Sequence, residues 1–165
     1  MVNYLLKKSY QLKDLKEVNF KDLWDSNGIF TTMWIFGKPV KILFFKEHIQ
    51  NLIKSLKIYK LHKYNLEKNI KKVIKINLHK KRKYNHLLRI AVTNKLISIS
   101  LREKPILKSK FTLKLINYSR TRPEFKNLKY KKILNYLSKI ETNSHDLGLC
   151  VNNKLLESAT SNILF

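Results

Sequence analysis

Two ionisable residues sit at the hinges of a patterned stretch near the end of the sequence. Lys132 stands where an amphipathic segment begins, and Glu157 closes a short apolar run. A lysine amine, once partly neutral, attacks a carbonyl carbon and can then carry protons. A carboxylate placed against a basic nitrogen keeps that nitrogen protonated. Local sequence alone demands neither role. A lysine within Lys129-Tyr130-Lys131-Lys132 reads as a solvated helix face, and Glu157 reads as an ordinary strand-end acid. Other chemistry is absent from the pattern. His48, His62, His79, His86 and His145 are scattered, with no His-x-x-x-His or Cys-x-x-Cys spacing, so no metal site is expected. Gly28, Gly37 and Gly148 lie too far apart for a dinucleotide fingerprint or a P-loop.

The elements that must position Lys132 and Glu157 follow from periodicity. Lys129 to about Asn143 reads as a helix with Ile133, Leu137 and Ile140 on one face. The apolar run His145 to Val151, the Asn152-Asn153 turn and the run ending at Glu157 read as two strands. A Ser/Thr/Asn cluster then leads into Ile163, Leu164 and Phe165. Upstream, residues 1–24 carry no clear period. Ile29 to Phe36 reads as a strand, Gly37-Lys38-Pro39 as a turn and Val40 to Phe44 as the returning strand. Ile49, Leu52, Ile53 and Leu56 put Lys46 to Lys57 on a helix, and Asn65 can cap a second from Leu66 to about Leu78. His86 to Thr93, Lys95 to Arg102 and Phe111 to Asn117 read as further strands. The expected class is α+β. The expected division is a small α+β domain over residues 1–118, a connection over 119–127 and the start of a second domain over 128–165.

Composition narrows the setting. No run of 18 apolar residues occurs, so no membrane span is expected. No secretory signal is visible at the start, and the default compartment is the cytoplasm. The single cysteine, Cys150, excludes an internal disulfide and reads as a small buried hydrophobe. The formal charge is +24, which invites a nucleic-acid reading. Only 5 of the 35 basic residues are arginine, however, and lysine, asparagine and isoleucine share A/T-rich codons. Residues 1–118 carry +20 and residues 119–165 only +4. His79 to Lys83 therefore reads as a solvated loop, and nucleic acid is a disfavoured partner.

Two motifs in order carry a family resemblance. Lys132-Ile133-Leu134-Asn135-Tyr136-Leu137 resembles the lysine segment of the class IV aminotransferases, commonly Lys-Ser-Leu-Asn-Tyr-Leu. Glu157-Ser158-Ala159-Thr160-Ser161-Asn162-Ile163-Leu164-Phe165 resembles their Glu-Gly-Thr-Ser-Ser-Asn-Ile-Phe-Phe segment. The opening is similar too. Ser26-Asn27-Gly28-Ile29-Phe30-Thr31-Thr32, a hairpin and Glu47-His48 stand where the family has Gly-Asp-Gly-Val-Phe-Glu-Thr, a hairpin and Glu-His.

The resemblance implies the two-domain fold of D-amino-acid aminotransferases, with the small domain complete and the large domain only begun in a C-terminally truncated chain. It implies pyridoxal 5'-phosphate as cofactor, amino-acid substrates and a homodimer. The activity implied is that of an aminotransferase or an aminodeoxychorismate lyase. Lys132 would be the catalytic residue that forms the Schiff base, with Glu157 against the pyridine nitrogen. Asn51 stands where the family has an arginine for the cofactor phosphate, so the fork and charge of that contact are replaced by neutral donors. Thr93-Asn94-Lys95 replaces the family's Thr-Arg-Gly, Thr31 its glutamate, and Ser158 the glycine after Glu157. Two residues separate Lys132 from Asn135, the spacing of the lyase and D-amino-acid members. Lys131 satisfies the three-residue spacing of the branched-chain members. The alternatives carried alongside are a catalytically inactive remnant of the family and, less favoured, a basic nucleic-acid-binding protein.

Overall fold

The computed structural model describes residues 4–61 and 64–161. The chain forms two compact units. One comprises Met1–Lys104 with Phe125–Leu128, the other Pro105–Glu124 with Lys129–Phe165. Among the described residues no helix is long and apolar enough to cross a membrane.

The first unit is built on strands β1 (Tyr4–Gln11), β2 (Glu17–Val18), β3 (Gly28–Gly37) and β4 (Lys41–Ile42), helices α1 (Phe45–Ile58) and α2 (Leu66–Asn77), and strands β5 (Tyr84–Thr93) and β6 (Leu96–Glu103). Its sheet runs β2-β1-β6-β5-β3-β4, with every pairing antiparallel. β3 and β5 pair over their whole length, Gly28 opposite Thr93 through Gly37 opposite Tyr84. Alternation then puts Ile29, Met33 and Ile35 on one face with Leu88, Ile90, Val92, Ile97, Ile99 and Leu101. The apolar stripes of the two helices join them. Ile49, Leu52 and Leu56 come from α1, and Leu66, Ile70 and Val73 from α2. Burying each such side chain stabilises by about 1.5–3 kcal/mol.

The opposite face of β6 is also covered, although it is lined by serines. Ser9 and Ser98 share a buried hydroxyl contact of 2.7 Å. Ser98 Oγ donates to the Lys21 carbonyl at 2.7 Å, and the Lys21 amide donates to Ser9 Oγ at 2.9 Å. Arg89 donates to the Asp22 carbonyl at 3.0 Å, forms an ion pair with its carboxylate and stacks 4.2 Å from the Trp24 ring centroid. The segment after β2 thus closes the sheet's second face by directed bonds.

The second unit has β7 (Thr112–Asn117), α3 (Lys131–Leu137), β8 (His145–Val151) and β9 (Lys154–Ser158). β7 runs parallel to β8, and β8 antiparallel to β9. Parallel neighbours need a long crossover, and α3 lies within it. The β8–β9 hairpin turns on Asn152 and Asn153, both left-handed at φ 50° and 60°. A two-residue hairpin turn requires positive φ at both positions, and asparagine tolerates it.

Several expectations change at this level. Tyr4–Gln11 is a full strand, held by backbone pairing to β6. The return after Gly37 is a strand only at Lys41–Ile42, with one further bond from the Leu43 amide to the Trp34 carbonyl at 2.9 Å, before Phe44 turns left-handed ahead of α1. Asn65 precedes α2 in a left-handed conformation and caps it with no side-chain bond. Phe111 to Asn117 supplies β7 to the second sheet, not to the first, so the first unit's sheet ends with β6. α3 stops at Leu137 because the next amides bond three residues back, Lys139 to Tyr136 and Ile140 to Leu137. Residues 119–127 are not a free connection. Phe30 N–H donates to the Lys126 carbonyl at 2.8 Å, Leu128 N–H to the Gly28 carbonyl at 2.9 Å, and Asn127 bridges to Ile29. Cys150 is partly exposed, its thiol 3.8 Å from the Gly148 carbonyl.

Candidate functional site

Lys132 is the second residue of α3 and exposed. The buried Ile133 beside it anchors the helix. Its Nζ lies 4.7 Å from the centroid of the Tyr118 ring and makes no ion pair among the described residues. Tyr118 follows β7 directly, its amide donating to the Cys150 carbonyl at 3.0 Å. The aromatic face under the amine is thereby fixed to the edge of β8.

Glu157 lies on β9 opposite Leu149, which is fully buried. Both carboxylate oxygens are held by Arg120, Nε to Oε1 at 2.7 Å and Nη2 to Oε2 at 2.5 Å. The same guanidinium donates to the Pro123 carbonyl at 2.8 Å. Burial opposes the Arg120 charge, but the hydrogen bonds and charge of Glu157 outweigh it, so the guanidinium sits above its ordinary value. A forked, charge-assisted pair of this kind fixes orientation as well as position. The Arg120 guanidinium also lies 5.5 Å from the centroid of the Tyr130 ring. Tyr130 is buried, and its hydroxyl donates to the Ala159 carbonyl. Burial pushes that phenol up to about 12 against the opposing charge of Arg120, with the charges of Glu157 and Asp146 adding to the rise.

The segment after Glu157 is held by Asp146, which is fully buried. Its Oδ2 accepts from the Thr160 amide at 3.0 Å and hydroxyl at 2.9 Å. It also accepts from the Ser161 amide at 3.0 Å and hydroxyl at 2.8 Å. Its Oδ1 accepts from the Leu147 amide at 2.8 Å. Five donors on one buried carboxylate offset its desolvation.

The second unit therefore brings Lys132 and Glu157 to one cluster of Tyr118, Arg120, Tyr130 and Asp146. Asn51 belongs to the first unit, exposed on α1, its carbonyl accepting from Ser55 Oγ at 2.8 Å. Asn94 occupies the β5–β6 turn of that unit and lines an open groove of 760 Å³ with Lys13, Lys21 and Lys95. Thr31, at the position of the family's glutamate, is buried with its hydroxyl 2.9 Å from His48 Nδ1. Burial and then the charge of Lys126 hold that imidazole below its ordinary value. Sequence reasoning missed Arg120, Tyr130 and Asp146. Two signals were there: Arg120 is one of few arginines in a lysine-rich chain, and Asp146 is the sole acid in an apolar run.

The same arrangement of elements occurs in known proteins. A branched-chain aminotransferase from the thermophilic archaeon Thermoproteus uzoniensis superposes with a TM-score of 0.68 at 13% identity, over 94% of this chain and 63% of that one. An aminotransferase from Brucella abortus, bound to the cofactor PLP, gives 0.63 at 14% identity over 97% and 67%. A proposed 4-amino-4-deoxychorismate lyase from Legionella pneumophila gives 0.58 at 18% over 80% and 56%. Identities this low show a shared fold. The chain spans less than two thirds of the length of most of these structures. No curated protein matches it by sequence. The family model for amino-transferase class IV matches residues 28–165, most of the sequence, and the chain belongs to that family.

Proposed function

We infer that this chain provides the lysine and carboxylate of a pyridoxal-phosphate-dependent enzyme acting on amino acids, an aminotransferase or an enzyme of the aminodeoxychorismate-lyase type. One observation carries the reading. An amine outside any ion pair among the described residues and a carboxylate fixed in orientation border a single cluster in one unit. These are the groups a pyridine aldehyde requires at its two ends, so the residues present fit the cofactor. When bound, the cofactor supplies an aldehyde that captures amino groups and a ring that accepts electrons from the α-carbon.

With the cofactor in place, Lys132 would be the amine that holds its aldehyde and the group that carries the proton at the substrate α-carbon. The Tyr118 ring beneath its Nζ holds the amine without neutralising it by a carboxylate. Glu157 would keep the ring nitrogen protonated, with lone pairs that the Arg120 fork leaves available. Asn51, where the family carries an arginine, would offer a phosphate neutral donors only. The homodimer and the cytoplasm belong to the same reading. Reduction with borohydride in the presence of pyridoxal phosphate, followed by peptide mapping, places the adduct on Lys132. Lys132→Ala abolishes it. An adduct on Lys131 instead shifts the register and points to branched-chain substrates.

A second reading is favoured by the Arg120 fork, which already occupies both Glu157 oxygens. It is a family member that keeps the scaffold and binds no cofactor. Absence of any site-specific adduct on the full chain selects it.

A further inference from the structure

The geometry points to Tyr130 as a positioning residue that sets the span between the Lys132 amine and the Glu157 carboxylate, which rests on reading those two as the cofactor pair. Tyr130 directly precedes α3 and lies two residues before Lys132. Its hydroxyl donates to the carbonyl of Ala159, two residues after Glu157. One side chain thus runs from the start of the lysine's helix to the end of the carboxylate's strand.

Each end of this strut is tied down. The Tyr130 carbonyl accepts from the Leu134 amide at 3.0 Å, so Tyr130 moves with the first turn of α3. The Ala159 amide donates to the Leu147 carbonyl at 2.9 Å, which fastens it to β8. Asp146 holds the next two residues, and Arg120 bears on both the Tyr130 ring and Glu157. The raised phenol keeps its proton across the neutral range and remains a donor.

The consequence falls on which lysine faces the cluster. Neighbouring residues on a helix diverge by about 100°. Rotating α3 by about half that angle would bring Lys131 and Lys132 to equal standing before the cluster, and by the whole of it would exchange them. The strut opposes that rotation, and phenylalanine would fill the same space while leaving the Ala159 carbonyl unpaired.

The test compares the full chain with its Tyr130→Phe variant by two measurements. Amide hydrogen exchange reads the bonded amides of Leu134 in the first segment and of Ala159, Thr160 and Ser161 in the second, and borohydride reduction with pyridoxal phosphate reads the ratio of Lys132 to Lys131 adducts. The strut predicts that the variant exchanges about tenfold faster at both segments together. It predicts also that the adduct ratio falls from a strong preference for Lys132 toward parity. Unchanged protection at both segments overturns the strut. Faster exchange with an unchanged ratio overturns the positioning role and leaves a structural bond. If neither protein forms an adduct, the cofactor reading fails and the positioning role with it, while exchange still decides whether the strut exists.

Discussion

The two units are stabilised in different ways. The first buries aliphatic side chains from β3, β5, β6, α1 and α2 in one continuous core, and its serine and Arg89–Asp22 contacts lie on the other side of the sheet. The second has a three-stranded sheet and a seven-residue helix. Its described buried aliphatics are few, chiefly Ile133, Leu147 and Leu149. What holds it is a set of directed bonds that begin at Arg120, Tyr130 and Asp146. A patterned core tolerates exchange of one aliphatic for another. A network of single donors and acceptors does not, because each lost partner strands a buried group. The unit with the candidate chemistry is the one specified atom by atom.

The largest effect should come from crowding the first unit's backbone. A Cβ on Gly28 would meet the Val92 carbonyl oxygen at 2.4 Å and Leu128 Cδ1 at 2.6 Å. Gly28→Ala should cost about 3 kcal/mol in denaturant unfolding, since a paired carbonyl cannot step aside. Asp146→Ala comes next, at about 2–3 kcal/mol, with faster exchange at the Thr160 and Ser161 amides. A loss under about 1 kcal/mol there would dissolve the contrast between the units. Gly148→Ala should be milder, about 1 kcal/mol. The three atoms nearest its Cβ would be the tips of Leu115, Leu113 and Leu155, at 2.7, 2.9 and 2.9 Å, and those side chains can rotate.

The smallest effect is a pH dependence confined to the first unit. His48 is held below its ordinary value by burial, so the unfolded chain takes up the proton first. Its contribution to stability is complete above about pH 6.5 and is lost as pH falls through that value toward the lower folded one. His48→Gln should flatten this acid limb of the stability profile. An unchanged limb would assign it to other groups.

The same contrast explains what could be read in the sequence. α1, α2, β3, β5 and β6 announce themselves because one face of each is apolar at the right period. β1 does not, since the adjacent pairs Leu5-Leu6 and Lys7-Lys8 break its alternation and backbone pairing to β6 carries it. β7 appears as a strand, but its partner is β8 across a crossover, and parallel pairing leaves no local mark. At the candidate site, Lys132 and Glu157 stand out through motifs. The groups that hold Glu157 and its following loop act across 37, 29 and 14 residues, for Arg120, Tyr130 and Asp146 in turn. Such pairings are set by the fold, and periodicity is blind to them.

The short segment Phe125–Leu128 belongs to the first unit although residues of the second precede and follow it. It bonds to Gly28 and Phe30, and the Asp25 amide donates to the Leu128 carbonyl at 2.8 Å. The chain therefore passes between the units three times, and neither is a module that one cut can release. A fragment ending at Lys104 would lose the bonding partners of the first residues of β3, and Phe125 with its edge contact to Tyr59, 5.4 Å between centroids. Splitting the gene at that boundary would yield two incomplete pieces. A clip between residues 104 and 112, ahead of β7, would by contrast leave Phe125–Leu128 bonded to the start of β3.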